Sequence, residues 1–264
     1  MMGWEYLWIL AAVSALFSAA GFYKYIYFIS VGYGLAVAGI GAALLLLFGG
    51  SMAPAGFVLC ALLVLYGARL SGFLLYRESR IAAYRDVLGK AENHEHKIPL
   101  WLKPALWLNV ALLYVLQTGP VFYRLYNRAP DGLSAWIGAA LMALGLSVET
   151  LADIEKNSQK KTRPDMVAMR GLYRIVRCPN YLGEILFWTG VFISGFGALN
   201  SIGQWVFAAG GYIGIVMIMF SGAARLEKRQ EKQYGSLSEY RNYADSTPII
   251  LPLVPLYHIA KKDS

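Results

Sequence analysis

Tyr27-Phe-Ile-Ser-Val-Gly-Tyr33-Gly-Leu-Ala-Val-Ala-Gly-Ile40-Gly-Ala-Ala-Leu-Leu-Leu-Leu-Phe48-Gly49 carries no charged residue across 23 positions. As an α-helix rising 1.5 Å per residue it is about 34 Å long, enough to cross a hydrocarbon core of about 30 Å. Periodicity does not separate helix from strand in such a run, but length does, and the ~10-residue alternation of a membrane barrel is absent. Six further windows read the same way: Gly3–Gly21, Ala53–Tyr76, Trp101–Tyr123, Gly132–Ala152, Tyr181–Ser201 and Gln204–Ala223. The first is longer than the apolar core of a signal peptide and has no basic flank, so it counts as a span. The expected fold is an all-α, multi-pass membrane protein with seven transmembrane helices, forming one membrane-embedded domain over residues 1–264.

Composition agrees. Of 264 residues, 57% are hydrophobic and only 15% charged, with a mean hydropathy of +0.46. Soluble domains run nearer 45–50% apolar and 25% charged. Seven Trp, 18 Tyr and 12 Phe suit the aromatic belts of bilayer interfaces. Disordered, collagenous, disulfide-stapled and ordinary soluble classes are excluded. Cys60 and Cys178 lie far apart and form no CxxC, His94 and His96 read as solvated loop residues, and no His/Glu set has metal spacing. No metal is expected.

The net charge of +8 is placed by topology. Lys and Arg gather in the loop 77–99 (Arg77, Arg80, Arg85, Lys90, Lys97), in the loop 153–180 and in the tail 224–264, and they avoid Gly50–Met52 and Ile202–Gly203. The positive-inside rule then puts the N-terminus outside and the C-terminus in the cytoplasm. Compact loops point to a bacterial inner membrane; an endoplasmic-reticulum location would give the same pattern. No aromatic-basic interleaving of the stacking kind accompanies the charge, so nucleic acid is not a partner.

Charges within spans are costly and usually functional. Arg69 lies in the third window, one turn after Tyr66. Glu149 and Asp153 stand at i,i+4 near the end of the fifth, and Asn180 and Glu184 at i,i+4 at the start of the sixth. Each charge can also be read as an interhelical tie. Two like charges one turn apart, followed by the basic run Lys156–Arg163, instead suit a ligand offering hydroxyls, amides and phosphate. Pro179 is a natural first-turn residue for the sixth helix, whose N-terminal dipole favours an anion. Beyond the seventh span, Arg225–Tyr234 reads as a cytoplasmic helix ending at Gly235, and the Pro-punctuated tail after Tyr243 could fold back over the cytoplasmic mouth as a lid.

Arg177-Cys-Pro179-Asn180-Tyr181-Leu-Gly183-Glu184, preceded by Glu149-x3-Asp153 and followed by Arg225-x-Glu227 and Tyr234-Gly-x4-Tyr240, resembles the signature of the steroid 5-alpha-reductase family and the related membrane sterol reductases. The resemblance runs from about Tyr66 to Pro252. It implies a seven-span protein that binds NADPH within its bundle and reduces the 4,5 double bond of a 3-oxo-4-ene steroid or similar lipophilic enone entering from lipid. By position, Asp153, Asn180 and Glu184 would hold NADPH, with Arg177 and Tyr181 in the same segment. Glu149 stands where mammalian members often have Asn. Lys160 or Arg163 would contact phosphate, Arg69 the cofactor and Tyr66 the steroid carbonyl. Arg225, Glu227, Tyr234 and Tyr240 would cover the cofactor. The Gln-Glu pair that mammalian members carry in the second span is missing, and Tyr33 stands there as a second candidate donor.

Two alternatives compete. Isoprenylcysteine and phospholipid methyltransferases, which use S-adenosylmethionine, share Arg-x-Pro-x-Tyr-x-Gly but have His where Cys178 stands. A non-enzymatic receptor or carrier would need no cofactor at all.

Overall fold

The computed structural model describes residues 2–80, 85, 89 and 101–259. His94, His96, Lys90 and Lys97 lie outside the described residues. Eight α-helices occur among the described elements: α1 (Trp4–Ser18), α2 (Val31–Phe48), α3 (Pro54–Arg80), α4 (Leu102–Tyr126), α5 (Leu133–Thr162), α6 (Pro179–Ser194), α7 (Ile202–Tyr234) and α8 (Ser238–Ser246). No strand is present among the described residues.

Among the described residues, six helical segments are long and apolar enough to cross a bilayer: Trp4–Phe22, Val31–Ser51, Pro54–Arg80, Leu102–Tyr126, Leu133–Thr162 and Ile202–Tyr234. Only 28% to 50% of each apolar window is buried inside the protein. The remaining apolar faces, with exposed Trp8, Leu46, Leu65, Leu112 and Met217, require a non-aqueous surround. The chain is a multi-pass membrane protein.

Sequence boundaries differ from expectation at several points, and the third helix runs on through Arg80 into the expected loop 77–99. The Tyr181–Ser201 window yields a helix of 16 residues, about 24 Å at 1.5 Å per residue. It stops before Gly195 and Gly197, the latter at φ 73, a conformation that favours glycine over residues with a side chain. The loop expected from Asp153 is helical through Thr162, and the cytoplasmic helix expected from Arg225 is the continuation of α7, a single helix of 33 residues.

The chain divides into two compact units, Met1–Ala139 with Val191–Tyr212, and Ala140–Gly190 with Ile213–Ser264. In the first, buried polar groups tie helices together through backbone carbonyls: Ser14 donates to Ala111 O at 2.9 Å, Ser71 to Val31 O at 2.8 Å and Trp107 Nε1 to Ala15 O at 2.9 Å. Arg124, 3% exposed, spreads its guanidinium over the carbonyls of Ser194, Pro130 and Phe196 at 2.7, 2.9 and 3.3 Å. In the second unit, α5 and α6 meet at two glycines. A Cβ on Gly183 would lie 2.8 Å from Gly145 O and 2.9 Å from Glu149 N, so the two backbones touch and only glycine fits.

Candidate functional site

The α5–α6 crossing sets the acidic stripe. Because Glu149 packs against Gly183, the helix face carrying Glu149 and, one turn on, Asp153 is turned towards α6. Glu149 is 3% exposed, Asp153 9% and Glu184 7%. Asn180 Nδ2 donates to Asp153 Oδ1 at 2.6 Å, and Asn180 Oδ1 accepts from the Tyr173 hydroxyl at 2.9 Å. Glu184 Oε2 accepts from Trp188 Nε1 at 3.1 Å, one turn along α6. Four polar side chains from the sequence pattern are therefore gathered at the start of α6.

The segment between α5 and α6 is held by the polar end of α5. Gln159 Oε1 accepts from Met169 N at 2.8 Å and Arg170 N at 2.9 Å, and Glu155 Oε2 from Leu172 N at 2.8 Å. These contacts extend α5 beyond its apolar stretch. They also position Tyr173, which is 5% exposed and held well above the ordinary phenol range by burial and by the Asp153 carboxylate.

A second cluster forms where the tail returns. Arg177 N donates to Pro248 O and Cys178 N to Ile249 O, both at 2.8 Å, so the tail does fold back, onto the start of α6. Arg177 Nη2 and Glu227 Oε1 form an ion pair at 2.9 Å with side chains 1% and 5% exposed. Arg177 also donates to the Tyr257 carbonyl. Glu227 further accepts from Ile259 N at 3.0 Å and meets His258 Nδ1 at 2.8 Å, while His258 Nε2 reaches Asp245 at 2.9 Å.

Tyr234 and Tyr240 pack with rings 6.1 Å apart in a buried cluster with Met166, Val167 and Ala244. Lys160 Nζ donates to Tyr234 Oη at 3.0 Å, which brings Lys160 into this group. Arg163 instead makes a two-pronged surface pair with Glu239 at 2.8 and 2.9 Å. Tyr181 lies against Gly222, where a Cβ would be 3.1 Å from its hydroxyl. Arg225 is exposed on α7.

The remaining candidates belong to the first unit. Tyr66 and Tyr33 are buried on α3 and α2, 0% and 6% exposed, with their hydroxyls hydrogen-bonded at 2.9 Å. Arg69 is half-buried with its guanidinium 5.4 Å from the Phe73 ring centre. Tyr173, Gln159, Glu155, Trp188 and His258 escaped the sequence reading. Tyr173 stands four positions before the quoted Arg177–Glu184 stretch, so its neighbourhood was visible; His258, a lone histidine in a tail, gave no signal.

Fit to a dinucleotide can be judged on donors left without partners. Arg177 Nε and Nη1 and the Tyr240 hydroxyl are buried and have no hydrogen-bond partner among the described residues. These are N–H and O–H donors, the type of group that phosphate oxygens accept from. The donor set of the second unit thus fits a phosphate-bearing cofactor.

The sequence of residues 18–247 matches the family described as "Protein of unknown function (DUF1295)", and the chain belongs to that family. No curated protein matches it, and no solved structure does.

Proposed function

We propose that this DUF1295 member is an NADPH-dependent membrane reductase that adds hydride to the beta carbon of a lipophilic enone, with a 3-oxo-4-ene steroid as the substrate type. The observation that carries the reading is the constellation of buried Glu149, Asp153 and Glu184 with half-buried Asn180 on two touching helices. Its residues coincide with the positions that the steroid 5-alpha-reductase resemblance assigns to NADPH. In this reading α6 and the turns after it make the seventh crossing, and the N-terminus lies outside.

NADPH, when bound, supplies the hydride. Asp153 and Asn180 offer an acceptor and an amide to cofactor hydroxyls and amides, in an orientation fixed by Tyr173. Arg177, with two free donors, answers phosphate charge, and Lys160 adds to it. Tyr66 acts on the substrate: as electron density collects on the carbonyl oxygen, its hydroxyl donates there. Tyr33 backs it, because a hydroxyl can reverse its bond. Donating to Tyr66 Oη, Tyr33 leaves the Tyr66 proton for the substrate and polarises it further. The alpha carbon is completed by a solvent proton.

The test is purified protein in detergent with NADPH and progesterone, following NADPH absorbance and product mass. A product two hydrogens heavier, lost in Glu184→Ala, is the expected result. Binding of S-adenosylmethionine with no binding of NADPH would replace the reductase by a methyltransferase.

A further inference from the structure

Among the described residues, most polar side chains buried in the spans of the first unit are tied to a carbonyl or to another side chain. Ser14, Ser18, Ser71, Tyr114, Thr118 and Ser194 each donate to a backbone carbonyl. Gln117 is different. It is 2% exposed on α4, and neither Nε2 nor Oε1 has a hydrogen-bond partner among the described residues. In a span no lipid can satisfy such a group, and buried amides are otherwise paired.

Its place is specific. Gln117 stands one turn after Tyr114, whose ring centre is 5.0 Å from that of Tyr33, and Tyr33 is bonded to Tyr66. One turn sets it about 4.5 Å further along the helix axis. The backbone there is fixed, because Gly211 lets α7 close directly onto Leu116 and Gln117 N. The backbone that carries the amide is therefore fixed, while the amide's own hydrogen bonds are unmade among the described residues.

We propose that Gln117 is a specificity-determining residue whose amide takes an oxygen function of the lipophilic substrate other than the reacting carbonyl. This deepens the reductase reading and rests on it. The reacting carbonyl needs donors only, and Tyr66 with Tyr33 provides them. A primary amide both donates and accepts, which matches a ketone through Nε2 and a hydroxyl through both atoms. A substrate lacking that second oxygen leaves the amide unmet, and sites built around a hydrogen bond reject such analogues.

The experiment compares androst-4-ene-3,17-dione with androst-4-en-3-one, which lacks the 17-oxygen, in wild-type protein, Gln117→Met and Gln117→Leu. Equilibrium binding of each steroid, NADPH oxidation and thermal unfolding are all measured. Wild type should bind the dione about tenfold tighter, as one neutral hydrogen bond would give. Both variants should lose the preference, with the change in KM rather than kcat, and should melt no lower than wild type. A preference unchanged in both variants, or a lower melting temperature without loss of preference, overturns the proposal. Lost preference without any NADPH oxidation would keep Gln117 and sink the reductase. NADPH oxidation with equal KM values in wild type would do the reverse. Failure of wild type to bind either steroid would sink both.

Discussion

Asn180 and Asp153 form a single polar unit, amide nitrogen to carboxylate oxygen at 2.6 Å, joining the start of α6 to the middle of α5. Asp153→Ala removes that partner and leaves Asn180 its hydrogen bond with Tyr173. NADPH affinity should fall at least tenfold, and stability by about 1 kcal/mol, the worth of one hydrogen bond to a half-buried amide. Asp153→Asn should keep part of both. Fluorescence titration of NADPH and thermal unfolding in detergent read the two effects. An unaltered Kd in folded Asp153→Ala would take this residue out of the cofactor site.

Arg177 and Glu227 are buried together, so removing one is worse than removing both. Glu227→Ala strands a guanidinium and releases Ile259 N and His258; about 3–5 kcal/mol of stability should be lost. The double replacement Arg177→Met with Glu227→Leu should recover most of it in thermal unfolding. If Glu227→Ala melts like wild type, the pair is not a structural tie.

The Tyr33–Tyr66 hydroxyl pair gives an ordered expectation for turnover. Tyr66→Phe should reduce kcat about 10²–10³-fold, the typical loss for one donor to a developing oxyanion. Tyr33→Phe should cost less, since Tyr66 still donates, and NADPH affinity should be untouched in both. Equal kcat in Tyr66→Phe would exclude it as the donor.

The two glycines of the α5–α6 crossing do not tolerate a methyl group. Gly183→Ala would set Cβ 2.8 Å from Gly145 O, and separating the helices should destabilise by about 1–3 kcal/mol. Gly72→Ala, with nothing within 4 Å of its Cβ, should be neutral or stabilising by up to about 1 kcal/mol. Similar melting temperatures for the two would argue against backbone contact at the crossing.

Alkaline pH should weaken the second unit. Burial pushes the Cys178 thiol and the Tyr240 hydroxyl each up to about 12, from ordinary values of 9.0 and 10.0. Folded, both stay neutral where the unfolded chain ionises, so stability should hold to about pH 9 and fall towards pH 12. Melting temperature against pH shows this directly. At pH 8 a water-soluble maleimide should leave Cys178 unlabelled until the protein unfolds, because the thiolate is the reactive form.

Runs of apolar residues made the all-helical membrane fold legible, and i,i+4 spacing found both halves of the polar constellation. Element ends were harder to read. Hydrophobicity stops at Ala152, yet α5 continues because Glu155 and Gln159 are bonded to Leu172, Met169 and Arg170. α6 is short because Gly195 and Gly197 follow it. The partners of Asn180 and Glu227 were obscure for the same reason: Tyr173 and His258 act through contacts that depend on the chain folding back, and spacing within one helix carries no trace of them.

The start of α6 grips α7 at two points, Tyr181 against Gly222 and Arg177 against Glu227. The α7 anchors stand five positions apart, and each residue turns a helix by about 100°. The stretch therefore works as a vernier. Adding or deleting one residue between Gly222 and Glu227 would swing the carboxylate off its guanidinium and unfasten the returning tail. What drift must preserve there is a count more than a composition.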